Sequence, residues 1–152
     1  MTVLIVCTGN TCRSPMAAAL LRHLAAQRGF PLNVLSAGTF AIPDQPATPE
    51  AQATLMGRGI DLGDHRSRPL TPELVASADR ILTMTAAHKE QVLALDPGAA
   101  GKTYTLGEYA GTGEEVPDPF GRSAEAYREA ADQMERLLQL ALERLMKEVQ
   151  GA

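Results

Sequence analysis

The sequence predicts an α/β fold built on a parallel sheet, and three observations carry that expectation. Short apolar, β-branched runs recur at Val3–Val6, Leu32–Leu35, Arg80–Met84 and Thr103–Leu106. Segments with helical spacing lie between them, and Gly, Pro or Thr punctuates each change. Strands that alternate with helices form βαβ units, so the strands are parallel and the crossovers right-handed.

Each element has a local reason. Val3–Val6 is too short and too β-branched for a helix. Pro15 fits the first turn of the helix that follows, where its missing N–H costs nothing. Met16, Ala19, Leu20 and Leu24 recur at helical spacing, and Gly29 ends the run. Leu32–Leu35 is the second strand, closed by Ser36-Ala37-Gly38. Thr48-Pro49-Glu50 opens a second helix that ends near Gly59. Thr71-Pro72-Glu73 opens a third, with Thr as cap and an acid in the first turn. The third strand is followed by a helix over Ala86–Leu95, and the fourth strand by a loop over Gly107–Gly121, rich in Gly, Pro and acids. The last helix spans Ser123–Val149, with Tyr127, Ala131, Met134, Leu138, Leu142 and Leu145 on one stripe.

The bulk properties bound the function. At 152 residues the chain has the length of one domain and buries about 70% of its unfolded surface. A net charge of −4 with no basic stripe argues against a nucleic-acid partner. No apolar run approaches the roughly 18 residues of a membrane span, and no secretion signal opens the chain. Two cysteines are too few for a disulfide scaffold, so the expected setting is cytoplasmic and reducing, with free thiols and no membrane contact.

Both cysteines fall in one stretch, CTGNTCRS, at residues 7 to 14. It joins the end of the first strand to the start of the first helix, the place where such sheets collect ligands. Backbone N–H groups of such a loop and the helix dipole make an anion site. Gly9 is expected to allow the tight turn, and Asn10 to tolerate a left-handed conformation and brace the loop. Arg13 ends it with a planar fork matched to two phosphate oxygens. Thr8, Gly9, Asn10, Thr11, Cys12, Arg13 and Ser14 thus form the expected phosphate cradle. It lacks the lysine and glycine pattern of a nucleotide-binding loop. The Cys7 sulfur would lie under the same donors, which are expected to lower its pKa below the free value of about 8.5. Ser14 would donate to that sulfur and ease its departure, and Cys12 would guard Cys7 as a disulfide partner under oxidation. Read blandly, Cys7 is a small buried strand end and Arg13 a helix cap. A metal site on Cys7, Cys12 and His23 has the wrong spacing and ligand count, so no metal is expected.

VCTGNTCRSPMA at the start, Ser36-Ala37-Gly38, and Asp118-Pro119-Phe120-Gly121 together resemble the low-molecular-weight protein tyrosine phosphatase family across essentially the whole chain. The resemblance implies one three-layer α/β domain over residues 1–152, with a four-stranded parallel sheet and helices on both faces. It implies phosphorylated protein substrates, no cofactor or metal, and a monomer. By that resemblance Cys7 is the nucleophile, Arg13 binds the phosphoryl group and Asp118 is the general acid. His65 supports the loop together with Asn10 and Ser36, and Phe40 and Phe120 wall the substrate slot. Members acting on phosphotyrosine commonly carry a bulky apolar residue before the second loop cysteine, where this chain has Thr11. CTGNTCRS, with Phe120-Gly121 after Asp118-Pro119, resembles the protein arginine phosphatase branch. A small polar Thr11 leaves room and a hydrogen-bonding partner for a planar guanidinium. A tyrosine phosphatase is the alternative. An arsenate reductase needs relay cysteines downstream, and the chain has none after Cys12. A phosphoprotein-binding module needs neither Cys7 nor Asp118.

Overall fold

A computed structural model describes residues 1–151. Ala152, the last residue of the expected domain, lies outside the described residues. The elements are β1 Thr2–Cys7, α1 Arg13–Gln27, β2 Asn33–Gly38, α2 Pro49–Met56, α3 Pro72–Ser77, β3 Arg80–Thr83, α4 Ala86–Leu95, a 3-10 turn Pro97–Lys102, β4 Thr103–Thr105, α5 Leu106–Ala110 and α6 Ala124–Gln150. The four strands are all parallel, in the order β2-β1-β3-β4. The chain leaves β1 toward one side for β2 and then crosses to the other side for β3. That reversal opens a crevice at the carboxyl end of β1, and residues 7 to 14 fill it.

The period of two along β1 divides the interior. Val3, Ile5 and Cys7 join the core formed with α1, α2, α5 and α6, while Leu4 and Val6 join the one formed with α3, α4 and the 3-10 turn. Both faces of the sheet are therefore covered, which is why β1 reads as a continuous apolar run. The whole expected stripe of α6, from Tyr127 to Leu145, is buried.

Two expectations change. β2 does not close at Ser36 but continues to Gly38, pairing in register with β1 to the end, Cys7 opposite Gly38. α5 occupies the start of the segment expected as loop, nucleated by a reciprocal cap in which Thr105 and Glu108 each accept from the other's backbone N–H. The 3-10 turn occupies the stretch between α4 and β4, to which the sequence reading assigned no element. It is held by the Asp96 side chain accepting from Gly98 N–H.

The extension of β2 brings two backbones together beside the loop. A Cβ on Gly38 would stand 2.3 Å from the carbonyl oxygen of Thr8 and 2.9 Å from the Ala41 Cβ. Only glycine fits without moving the loop. Gly38→Ala is expected to cost about 2 kcal/mol, the scale of overpacking a rigid site. Urea unfolding of both proteins checks this, and an unchanged midpoint would contradict the close approach.

Candidate active site

The loop turns at Asn10, whose φ of 57° is left-handed, and not at Gly9, where a Cβ would make only ordinary contact with Thr11. Asparagine tolerates that region because its side chain can bond locally. Here every polar group of the buried Asn10 side chain is used. Its amide donates to the Ser14 hydroxyl at 2.7 Å and the Ser36 hydroxyl at 3.0 Å, and its Oδ1 accepts from Arg68 N–H at 3.0 Å. The backbone carbonyl of Asn10 accepts from His65 Nε2 at 2.7 Å. Burial and the nearby Arg22, Arg68 and Arg66 charges push His65 below its ordinary pKa, against the pull of that carbonyl. A neutral ring with its proton on Nε2 fits both facts. The structure thus gathers Asn10, Ser36 and His65 around the loop.

Cys7 ends β1, 2% exposed, with its sulfur 2.9 Å from the Ser14 hydroxyl. That hydroxyl already accepts from Asn10, so its own proton points to sulfur. The expectation of a lowered Cys7 pKa does not hold: burial comes first and pushes the thiol up. The Ser14 hydroxyl, the Ser14 backbone N–H, the Arg13 charge and the Asn10 backbone N–H all pull it down. The spacing of the loop shows the donors, whereas the depth of the sulfur beneath them is a property of the fold.

Arg13 opens α1 and is buried. One guanidinium nitrogen donates to the Val116 carbonyl at 3.0 Å and the other stands 3.6 Å from the Asp118 carboxylate. Asp118 is half exposed, and its Oδ1 accepts from Phe120 N–H at 3.0 Å, which aims the carboxyl back over the loop. Cys12 caps α1 without a side-chain bond to the helix, so the first-turn N–H groups remain for an anion. The Cys12 sulfur instead meets Tyr127 OH at 3.4 Å and Thr48 Oγ1 at 3.7 Å. Both thiols are free.

Cys7, Thr8, Gly9, Thr11, Cys12, Arg13, Asp118 and Phe120 line a cavity of about 210 Å³. A larger cleft of about 480 Å³ against α6 shares Asp118 but contains neither the sulfur nor the loop. Phe40 does not line the Cys7 cavity. It is 85% exposed and lies in an adjoining apolar groove with Ile42 and Pro46, and Phe120 borders both spaces. The sequence reading did not anticipate His88, in the first turn of α4, whose Nε2 is 2.8 Å from the Thr8 hydroxyl. Nor did it anticipate Val116 as the partner of Arg13, or that Tyr127 of the α6 stripe reaches the Cys12 sulfur. A lone histidine some 80 positions from the loop carries no spacing signal, and only the sheet order brings α4 to it.

The model of the family described as low molecular weight phosphotyrosine protein phosphatase matches residues 2–151. The chain belongs to this family. It is 44% identical to a protein-arginine-phosphatase of Bacillus subtilis, over 97% of this chain and 99% of that one. It is 36% identical to the low molecular weight protein-tyrosine-phosphatase Etp of Escherichia coli, over 96% and 95%. Among solved structures, a C7S mutant of the YwlE arginine phosphatase with a phosphorylated active site serine superposes with a TM-score of 0.93, at 44% identity and 97% coverage of both chains. The family's phosphatase fold and this chain's four-stranded parallel sheet therefore agree. Among the described residues no helix is long and apolar enough to cross a membrane.

The Ser14 contact has a direct consequence. Ser14→Ala removes a donor to sulfur and leaves burial in place, so Cys7 ionises less readily. Alkylation of Cys7 by iodoacetamide at neutral pH is expected to slow about tenfold, the scale of one charge-assisted hydrogen bond. An unchanged rate would show that the hydroxyl does not reach the thiolate.

Proposed function

We propose that this chain is a cysteine-dependent phosphatase that removes phosphate from phosphoarginine in proteins. The observation that carries the reading is the cavity itself: one sulfur beneath converging N–H donors, Arg13 beside it, and Thr11 and Asp118 in the same lining. The substrate class rests on the 44% identity to a protein-arginine-phosphatase and on the polar Thr11 wall.

In this reading the phosphoryl group sits on the loop N–H groups, and Arg13 matches two of its oxygens. The Cys7 thiolate attacks phosphorus as the P–N bond breaks. Asp118 gives its proton to the departing guanidine nitrogen, so a neutral leaving group becomes a guanidinium. An S–P bond now holds the phosphoryl group. Asp118, as carboxylate, then takes a proton from water. The water oxygen attacks phosphorus, the S–P bond breaks, and phosphate leaves. The Ser14 hydroxyl stabilises the sulfur anion that is released. A serine at the nucleophile position can accept the group but is a poor leaving group, in keeping with the phosphorylated serine of the related arginine phosphatase mutant.

The acid role separates from mere positioning by leaving group. Asp118→Asn is expected to slow phosphoarginine hydrolysis by about 100-fold or more, and p-nitrophenyl phosphate hydrolysis much less, because nitrophenolate leaves without a proton. Equal losses on both would assign Asp118 a positioning role only.

A phosphotyrosine reading is the second one, favoured by relatives such as Etp. Thr11 discriminates between the two. A guanidinium left with unpaired N–H donors against an apolar wall loses heavily, whereas a phenyl ring does not. Thr11→Ile should move the ratio of the two kcat/KM values toward phosphotyrosine by about 30- to 150-fold, the equivalent of ~2–3 kcal/mol. A wild type that already prefers phosphotyrosine peptides would establish the second reading. An unmoved ratio in the variant would remove Thr11 from selection.

A further inference from the structure

We propose that His88 is a positioning residue that fixes the Thr8 hydroxyl as a second polar wall of the cavity, turned toward the leaving group. The proposal deepens the phosphoarginine reading above and rests on it.

The geometry begins outside the loop. His88 is buried in the first turn of α4 and clamped at both ring nitrogens: Nδ1 stands 3.1 Å from the Thr85 hydroxyl and Nε2 stands 2.8 Å from the Thr8 hydroxyl. Thr85 caps the helix, its oxygen accepting from the His88 backbone N–H. Its hydroxyl proton then needs an acceptor, and among the described residues the acceptor within hydrogen-bond distance is Nδ1. This places the ring proton on Nε2, from which it is donated to Thr8. Burial comes first, followed by the Arg13 charge, in pushing His88 down to about 4, opposed by the Asp118 and Glu115 carboxylates. The ring is therefore neutral at working pH and keeps one donor and one acceptor.

Thr8 is left with a fixed oxygen. One lone pair accepts from His88, while its own proton and remaining lone pair are free for the cavity that Thr8 lines beside Cys7. Thr8 and Thr11 are the two hydroxyl-bearing residues among those that line that cavity. A guanidine leaving group presents N–H donors around a planar edge and is satisfied by more than one acceptor. A phenyl leaving group is indifferent to them. A threonine hydroxyl free to rotate about χ1 would face the cavity only part of the time, and the histidine removes that freedom.

The test combines a spectrum with a cycle of variants. Two-bond 1H–15N correlation spectra of the imidazoles at neutral pH are expected to show His88 as the Nε2–H tautomer. An Nδ1–H tautomer or a cationic ring overturns the anchor. Kinetically, Thr8→Val is expected to lower kcat/KM on a phosphoarginine peptide about tenfold more than on p-nitrophenyl phosphate, the scale of one unpaired donor. His88→Ala should produce the same selective loss, His88→Gln should restore most of it through its amide N–H, and the double variant Thr8→Val with His88→Ala should lose no more than either alone. Equal losses on the two substrates, or additive losses in the double variant, overturn the positioning role. Thr85→Val, which frees Nδ1 without touching the loop, keeps the test open should His88→Ala fail to fold: a selectivity equal to wild type there also counts against the proposal. If the wild type does not turn over phosphoarginine at all, the substrate reading fails, and the spectrum alone decides the anchor.

Discussion

The site depends on one buried amide. Asn10 holds the loop in a left-handed turn that costs an ordinary residue roughly 1 kcal/mol or more. Four hydrogen bonds over-determine that conformation, three from its side chain and one to its carbonyl from His65. Ser36 comes from β2, Ser14 from α1, and His65 and Arg68 from the long connection after α2. One side chain thus ties three separate parts of the chain to the loop. Because Asn10 donates to Ser14, the Ser14 proton has only the sulfur to meet. The orientation of the hydroxyl beside Cys7 is therefore set two hydrogen bonds away from the sulfur, by Asn10, which is not among the residues that line the cavity.

The second constraint is a balance at Cys7. Burial resists the thiolate, while Ser14, Arg13 and two backbone N–H groups favour it. All four opposing groups are fixed by the fold before substrate arrives, so little reorganisation accompanies the reaction. Arg13 serves two partners at once. Its bond to the Val116 carbonyl fixes the fork, and its other nitrogen stays near Asp118. The segment that carries Asp118, the acid of the proposed mechanism, is thereby registered on Arg13, its proposed phosphate-binding residue. Asp118 itself remains half exposed, which suits the proton exchange with leaving group and water that the proposed mechanism asks of it.

Much of this was legible in the sequence. The strand–loop–helix placement of CTGNTCRS marked the candidate site, the apolar run Val3–Val6 marked the central strand, and the α6 stripe marked the helix face that packs into the core. Local signals failed where tertiary pairing decides the outcome. β2 runs through Ser36-Ala37-Gly38 because β1 offers ladder partners, not because those residues favour strands. α5 forms inside a polar stretch because Thr105 and Glu108 cap each other. Asn10 takes the left-handed conformation expected of it, but the partners that satisfy its amide are scattered along the sequence and carry no local signal. The raised Cys7 thiol, the outward Phe40 and the inward His88 all follow from depth and neighbours, which spacing does not encode.

The central claim is that phosphorus passes through the Cys7 sulfur. Mixing the protein with a phosphoarginine peptide, quenching in acid within a turnover and mapping the digest by mass spectrometry tests it directly. The account predicts a phosphoryl group on the peptide that contains Cys7, chased to inorganic phosphate when the quench is delayed. Full turnover with no phosphoryl group on that peptide, or with one on another residue, would contradict it.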